Sequence, residues 1–389
     1  MKKVLFVVDE RKLGGVSILL ENILNNLDNK NLDITVLILH DNGDRLKNIN
    51  AKIIYGTKAF NIIDQDLKDL IKKLKLISVI KKIIMSVRLK SGTIKGFILK
   101  QRKKLDLSGF DIEVAFKSGF CSAFVAYGDA KKKINWIHED YATYNRTKRY
   151  ENTFKNIFCA FDKHIAVSQD AMKSFCVIYG NEDKTLVIEN YIDTKELQEK
   201  AKCETTLNVD KNKLNIVSLG RFCIEKGYDR VIQAFSKLKD TIDISHVHMY
   251  IIGCGEDENK LKADIKRLNL SEYIDIINSE KLKNNPYAFM KTCDLFLMSS
   301  RSESFGMVRV EALTLKLPVI TTAVANTEEL LQDRYGLVVE NSTEGIYKGL
   351  KEIIQNEKIV LQLKENVKDY SYDMRNKEIL ANINKILEE

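Results

Sequence analysis

The chain has 389 residues, 44% of them hydrophobic and 30% charged, with only 2 Pro and 18 Gly. This suits two globular domains with cores of their own and excludes a disordered or fibrous polymer. The net charge of +8 is local: residues 70–105 carry twelve basic side chains and no acidic one, and taking these away leaves the rest of the chain at −4. Seven scattered cysteines without a Cys-x-x-Cys pair argue against a disulfide framework and against a zinc site.

In chain order, Lys3–Val8 reads as a buried strand, and Gly14-Gly15 breaks the chain before a helix from Val16 to Leu27. A glycine loop at a helix N-terminus lets the backbone approach a phosphate or a sugar closely. Lys2 and Lys3 precede only five apolar residues before Asp9, too few for a signal peptide, and no later run is long enough to span a bilayer. A cytoplasmic location is therefore expected. Asp33–Leu39 and Lys52–Tyr55 read as further strands. The one Asp-x-Asp, Asp64-Gln65-Asp66, precedes a basic helix and is not at a strand end, so no metal is expected there.

That basic helix repeats Ile71, Leu74, Ile77, Ile80, Ile84 and Val87 at three- and four-residue steps, with lysines between. It could pack on its own domain as an ordinary surface helix. The lack of acidic partners across residues 70–105 favours peripheral contact with an anionic membrane instead. Phe97 is the segment's single aromatic and no nucleic-acid motif accompanies it, so no nucleic-acid partner is expected.

Strands at Ile112–Phe116 and Lys133–Ile137 follow, the second leading into His138 at its carboxyl end, where open α/β sheets bind ligands. Lys163–Val167, Ser168 as a helix N-cap, and Leu186–Asp193 complete a first domain, with Asn190 and Asp193 shaping a hinge. We take residues 1–195 as this domain, residues 196–212 as a polar linker, residues 213–371 as a second domain, and residues 372–389 as a helix returning to the first.

The second domain opens with a strand, Leu214–Leu219, then Gly220, Arg221, Lys226 and Gly227 before a helix. A forked guanidinium and a point-charged ammonium five residues apart suit a diphosphate. Val247–Ile252 is another strand, ahead of Gly253-Cys254-Gly255. The richest stretch comes later. An apolar strand, Leu295–Met298, runs into Ser300-Arg301-Ser302-Glu303-Ser304-Phe305-Gly306-Met307 and a helix read from Phe305 to Leu315, closed ahead of Pro318. The free amides and dipole of a first helical turn favour an anion. Glu303, Met307 and Glu311 follow one another at four-residue steps on one side of the element, where a nucleotide carrying a sugar could meet Glu303, the backbone amides and Glu311. The alternative on spacing alone is a strand-helix junction with two solvated glutamates.

Glu303-Ser304-Phe305-Gly306, Glu311-Ala312-Leu313 and Pro318-Val319-Ile320 resemble the E-x7-E segment of glycosyltransferase family 4. The likeness extends over nearly the whole chain and is weakest in residues 56–110. Ser304 and Lys316 depart from it, each standing where that family commonly has Gly. The resemblance implies a GT-B fold, two doubly wound Rossmann-like α/β domains facing across a cleft, and a retaining sugar transfer. It implies that Glu303 lies by the donor sugar and Glu311 by the ribose. Arg221, Lys226 and the Ser304–Met307 turn would hold the diphosphate, Gly15 would line the cleft, and His138 would face the sugar. It also implies that Ile276 and Ile277 lie near the base, and that Asn285-Pro286-Tyr287 is structural.

We therefore expect a nucleotide-sugar donor, UDP foremost with the base left open, and a glycan or lipid-linked acceptor in surface-polysaccharide synthesis. No metal or other cofactor is expected. A retaining glycosidase pair, which needs carboxyls about 5 Å apart, is not. The alternative is a non-catalytic GT-B subunit that binds a partner enzyme or a glycan.

Overall fold

The computed structural model of the chain describes residues 1–9, 15–40, 46, 49–61, 71, 75–91, 93–142, 151–205, 207–282 and 285–389. Gly14, Asp64, Gln65, Asp66 and Leu74 lie outside the described residues. The chain forms two compact units, Met1–Tyr191 with Asn376–Glu389, and Ile192–Arg375.

The first unit is built on seven parallel strands: β1 Lys2–Val8, β2 Leu32–Ile38, β3 Lys52–Tyr55, β4 Ile112–Ala115, β5 Lys132–Ile137, β6 Lys163–Ala166 and β7 Thr185–Val187. Their order is β3-β2-β1-β4-β5-β6-β7. Central strands of a parallel sheet are covered on both faces, which explains the unbroken apolar run in β1: Val4 to Val8 are all buried. The order reverses between β1 and β4, so the connections leaving these two strands diverge and open a crevice at their carboxyl ends.

The second unit repeats the plan with β8 Leu214–Leu219, β9 Val247–Gly253, β10 Ile274–Asn278, β11 Leu295–Met298, β12 Val319–Thr322 and β13 Gly336–Val339, in the order β10-β9-β8-β11-β12-β13. Helix Tyr228–Thr241 lays Val231, Ile232, Phe235 and Leu238 on Ile216, Met249 and Ile251 of the sheet. Here the reversal lies between β8 and β11. The two polar stretches singled out from sequence, 220–227 and 299–306, are the loops that leave those two strands.

Three sequence expectations need correction. Residues 194–200, read as the end of the first domain and the start of a linker, form a helix of the second unit. Asp193 caps it by accepting from Glu196 N at 2.9 Å, and Glu196 pairs with Lys200 across one turn at 2.7 Å. Local capping and charge pairing hold a helix whose apolar side is too short to show a period.

The second correction concerns the helix after β11, which spans Met307–Thr314 rather than starting at Phe305. Gly306 precedes it at φ +71°, a left-handed conformation that ends the loop and starts the helix two residues later. Glu303 consequently sits in the loop and not on the helix face.

Third, the basic segment is two different things. Helix Ile94–Lys104 is part of the fold: Ile94 and Ile98 are fully buried, and Arg102 pairs with Glu113 of β4 at 2.6 Å and with Asp129 at 3.2 Å. The acidic partners missing within residues 70–105 are therefore supplied from farther along the chain. Helix Leu76–Lys90 differs, since it leaves Leu76, Ile77, Ile80, Ile83, Ile84 and Val87 exposed.

Candidate functional site

The two loops that leave β8 and β11 are braced against each other. Gly227 takes φ +69°, and a Cβ there would stand 2.2 Å from Ser299 O, so only glycine lets the β8 loop approach the end of β11 this closely. Ser299 Oγ donates to Lys226 O at 2.8 Å, and Arg301 N donates to Glu225 O at 2.7 Å. Arg301 grips Asp229 through two bonds of 2.7 Å each, a fork-to-fork geometry that fixes both loops at the start of helix Tyr228–Thr241. Arg230 reaches Ser299 O at 2.5 Å and Asn341 Oδ1 at 2.8 Å. The carriers of the candidate chemistry thus stand on a braced frame.

On that frame Lys226 and Glu303 meet. Lys226 Nζ lies 2.6 Å from Glu303 Oε1, and Ser300 Oγ donates to the same oxygen at 2.6 Å. The pair comes together across 77 residues, because the two loops leave neighbouring strands at the reversal point. Arg221 stands exposed at the mouth of the β8 loop. Ser304 and Phe305 lead into Gly306, and no side chain caps helix Met307–Thr314. Arg309 N donates to Gly306 O at 3.0 Å, while the Met307 and Val308 amides have no acceptor within the helix, so this end of the helix suits an anion.

Glu311 follows one turn along the helix. Burial pushes its carboxyl up to about 7, against the lowering effects of a hydrogen bond from Tyr287 and the charges of Lys226 and Lys200. A carboxyl held near neutrality in a ligand crevice is poised to exchange its partners for those of a ligand. Tyr287 belongs to the Asn-Pro-Tyr turn that sequence reading treated as structural, and its phenol donates to Glu311. Asn285 Nδ2, in the same turn, bonds Lys200 O at 2.9 Å, tying this turn to helix Thr194–Lys200.

Sequence reasoning missed Ser300, Tyr287 and the buried Arg309. Ser300 was legible in principle, three residues before Glu303 in a tight loop. The other two are set by packing. Lys316, one of the departures from the resembled family, adopts φ +65°, which gives a physical reason for glycine there.

The remaining candidates belong to the first unit. Gly15 opens helix Gly15–Asn26 and is exposed. His138 follows β5, and its Nε2 donates to Phe116 O at 3.0 Å. Burial lowers it to about 3, so the ring is neutral at physiological pH, with Nδ1 as the unprotonated nitrogen. At the reversal point of this sheet Lys117 pairs with Asp9 at 2.8 Å. Among the described residues no group of His, Cys, Asp or Glu has the arrangement of a metal site, and no helix is long and apolar enough to cross a membrane.

Two parallel, doubly wound units define the class: this is the GT-B fold. Residues 199–370, most of the second unit, match the family model described as "Glycosyl transferases group 1", and together with the relatives below this supports a glycosyltransferase of that group. It is 25% identical to the O-antigen biosynthesis glycosyltransferase WclY of Escherichia coli, over 84% of this chain and 82% of the relative. An uncharacterized glycosyltransferase of Methanocaldococcus jannaschii is 32% identical, but over only 44% of this chain and 47% of its own length. Among solved structures, Anabaena HepE in complex with UDP and glucose matches at TM-score 0.71 with 16% identity, covering 99% of this chain and 100% of that one. The lipopolysaccharide-biosynthesis glycosyltransferase WaaG matches at TM-score 0.65 with 15% identity, covering 99% of each chain.

Proposed function

We propose that this glycosyltransferase moves a sugar from a nucleoside diphosphate, UDP in the first instance, to a hydroxyl of a glycan or lipid-linked acceptor, with retention at the anomeric carbon. One observation carries the proposal. The loops of the second unit converge Lys226, Glu303 and an uncapped helix N-terminus at the sheet's reversal point, with Glu311 one turn beyond. That spacing suits a nucleotide sugar, and the family resemblance supplies the roles: sugar at Glu303, diphosphate at Arg221, Lys226 and the Ser304–Met307 turn, ribose at Glu311. The choice of UDP is supported by HepE, solved with UDP and with UDP-glucose, and the acceptor class by WclY, named for O-antigen biosynthesis.

In the proposed reaction the bond from the anomeric carbon to the diphosphate oxygen breaks as the acceptor oxygen bonds to the same face. The acceptor proton passes to the departing phosphate. Arg221, Lys226 and the helix N-terminus stabilise the charge gathering on the diphosphate. Glu303, already oriented by Ser300, positions the sugar and stabilises positive charge developing at its anomeric carbon. The part given to His138, as to Gly15, rests on the family resemblance: a neutral imidazole hydrogen-bonding the sugar.

We further propose that helix Leu76–Lys90 rests on an anionic membrane surface, bringing the enzyme to a lipid-linked acceptor. Its exposed Ile77, Ile80, Ile84 and Val87 would enter the lipid boundary, with Lys81 and Arg88 beside them at the headgroups. The contact is thus narrower than residues 70–105, because Arg102 is committed to Glu113.

The test of the donor site is titration calorimetry and thermal unfolding with UDP, GDP, ADP and CMP, with Arg221→Ala as control. A ligand at about 100 times its Kd stabilises by about 2.7 kcal/mol. One nucleotide should bind, and the variant should lose most of it. Proton NMR of the product formed from the matching nucleotide sugar should then show the donor's anomeric configuration. Absence of binding by every nucleotide would refute the proposal and turn attention to a non-catalytic subunit.

A further inference from the structure

Arg309 is the largest charged side chain in the second unit that is fully buried, with none of its surface exposed. Its position is unusual for a cation. It sits on the first turn of helix Met307–Thr314, folded back beneath the Phe305–Gly306 turn. Nη2 donates to Phe305 O at 2.7 Å and to Ala325 O at 2.6 Å, and Nη1 donates to Thr327 Oγ1. Each of these acceptors is neutral. Nε is buried and has no hydrogen-bond partner. A Cβ built on Gly306 would stand 2.7 Å from Nε and 2.7 Å from Nη2, so the guanidinium lies directly against the backbone of that glycine. Among the described residues Arg309 forms no ion pair, and the carboxylate that acts on it is that of Glu303, at longer range.

Burying a cation without a paired anion is costly, and proteins keep such a group when something compensates it. Here the compensating charge has an obvious place. The Met307 and Val308 amides have no acceptor within the helix, and an anion resting on them would lie across the Gly306 backbone from the guanidinium. Burial lowers the guanidinium to about 10, which leaves it charged at neutral pH. Within a low-dielectric surround that charge acts on a nearby phosphate far more strongly than an exposed arginine would.

We infer that Arg309 is a positioning residue for the donor diphosphate: sealed beneath the Phe305–Gly306 turn, it fixes the amides that receive the phosphates and supplies a positive charge behind them. The inference rests on the donor-site proposal above. It goes beyond it by assigning part of the diphosphate affinity to a residue that touches no ligand. It also separates Arg309 from Arg221, which is exposed, and from Lys226, which is paired with Glu303.

The test compares affinity for UDP with affinity for uridine, by titration calorimetry or displacement, in the full chain. Arg309→Gln keeps a hydrogen-bonding side chain and removes the charge, Arg309→Lys keeps the charge and gives up the fork, and Thr327→Val removes one acceptor without touching the charge. Arg309→Gln should weaken UDP about ten- to a hundredfold while leaving uridine within about twofold. Arg309→Lys should hold UDP within about threefold, as should Thr327→Val. Equal losses for UDP and uridine in Arg309→Gln would reduce the residue to a staple and overturn the inference. If that variant does not fold, the other two decide: UDP affinity retained in both supports the charge, and a loss above about tenfold in either overturns it. A wild-type chain that binds uridine and UDP equally, or neither of them nor any other nucleoside diphosphate, overturns the donor-site proposal itself and this inference with it.

Discussion

Glu311→Gln separates a functional carboxyl from a structural one, because the two roles give opposite signs. Burial raises the Glu311 carboxyl from about 4.5 to about 7 in the fold, so the folded chain holds a proton there that the unfolded chain has already released. Linkage then makes the fold lose stability as pH rises from about 4.5 through about 7, and above that range the full penalty applies. About 2.5 pH units at 1.36 kcal/mol each set an upper bound of ~3 kcal/mol. Glutamine, neutral at every pH, removes the penalty while filling the same space beside Tyr287. The ligand-free variant should therefore be more stable than wild type at pH 8, by up to ~3 kcal/mol, and within ~1 kcal/mol of it at pH 5.

The same change should weaken nucleotide binding by about ten- to a hundredfold, since hydrogen bonds from ribose hydroxyls to a carboxylate contribute about 1.5–3 kcal/mol. Scanning calorimetry at pH 5 and pH 8, followed by nucleotide titration at pH 8, reads both effects. Stability lost at pH 8, or an equal change at both pH values, would refute the reasoning. The carboxyl would then belong to the packing of the second unit, with Tyr287 as its permanent partner.

Other consequences follow from single contacts. Glu113→Gln breaks a buried ion pair with Arg102 and should cost about 3–5 kcal/mol in urea unfolding, with a loss under ~1 kcal/mol counting against the pairing as described. Lys316 holds φ +65°, so Lys316→Gly should be more stable than Lys316→Ala, reversing the usual advantage of alanine over glycine. The reverse order in thermal unfolding would remove the strain argument. Replacing Ile77, Ile80 and Ile84 together by Ser should abolish cosedimentation with vesicles containing anionic phospholipid and leave nucleotide affinity unchanged. Wild-type protein that ignores such vesicles would end the membrane proposal.

Much of this architecture was legible because parallel strands buried on both faces declare themselves as short apolar runs. β3, β8 and β11 coincide with the sequence expectation, and most other strands agree to within a residue or two at each end. The candidate donor residues were legible for a related reason. Strand, polar loop and helix follow one another in the chain, so Arg221, Lys226, Glu303 and Glu311 stand in a readable order even before their strands are known to be neighbours. What could not be read depends on partners far apart in sequence. Arg102 looked like one more surface cation until Glu113 was found against it, and Tyr287 looked like part of a turn until its phenol met Glu311. Helix Thr194–Lys200 was hidden because two buried side chains, Thr194 and Leu197, are too few to make a period.

The Lys226–Glu303 pair connects these observations to function. In the absence of donor, two charges with little exposure would each be costly alone, and each supplies the other's partner at 2.6 Å. On the proposed reading, a nucleotide sugar would bring a diphosphate that competes for the ammonium and sugar hydroxyls that compete for the carboxylate, so binding would exchange one set of charge-assisted bonds for another. Ser300, Arg301 and the Asp229 fork keep the two loops in register while that exchange takes place. The net affinity is then a difference between two well-satisfied states. On the same reading, a buried charge that needs no exchange, such as that of Arg309, would add its full effect to that difference.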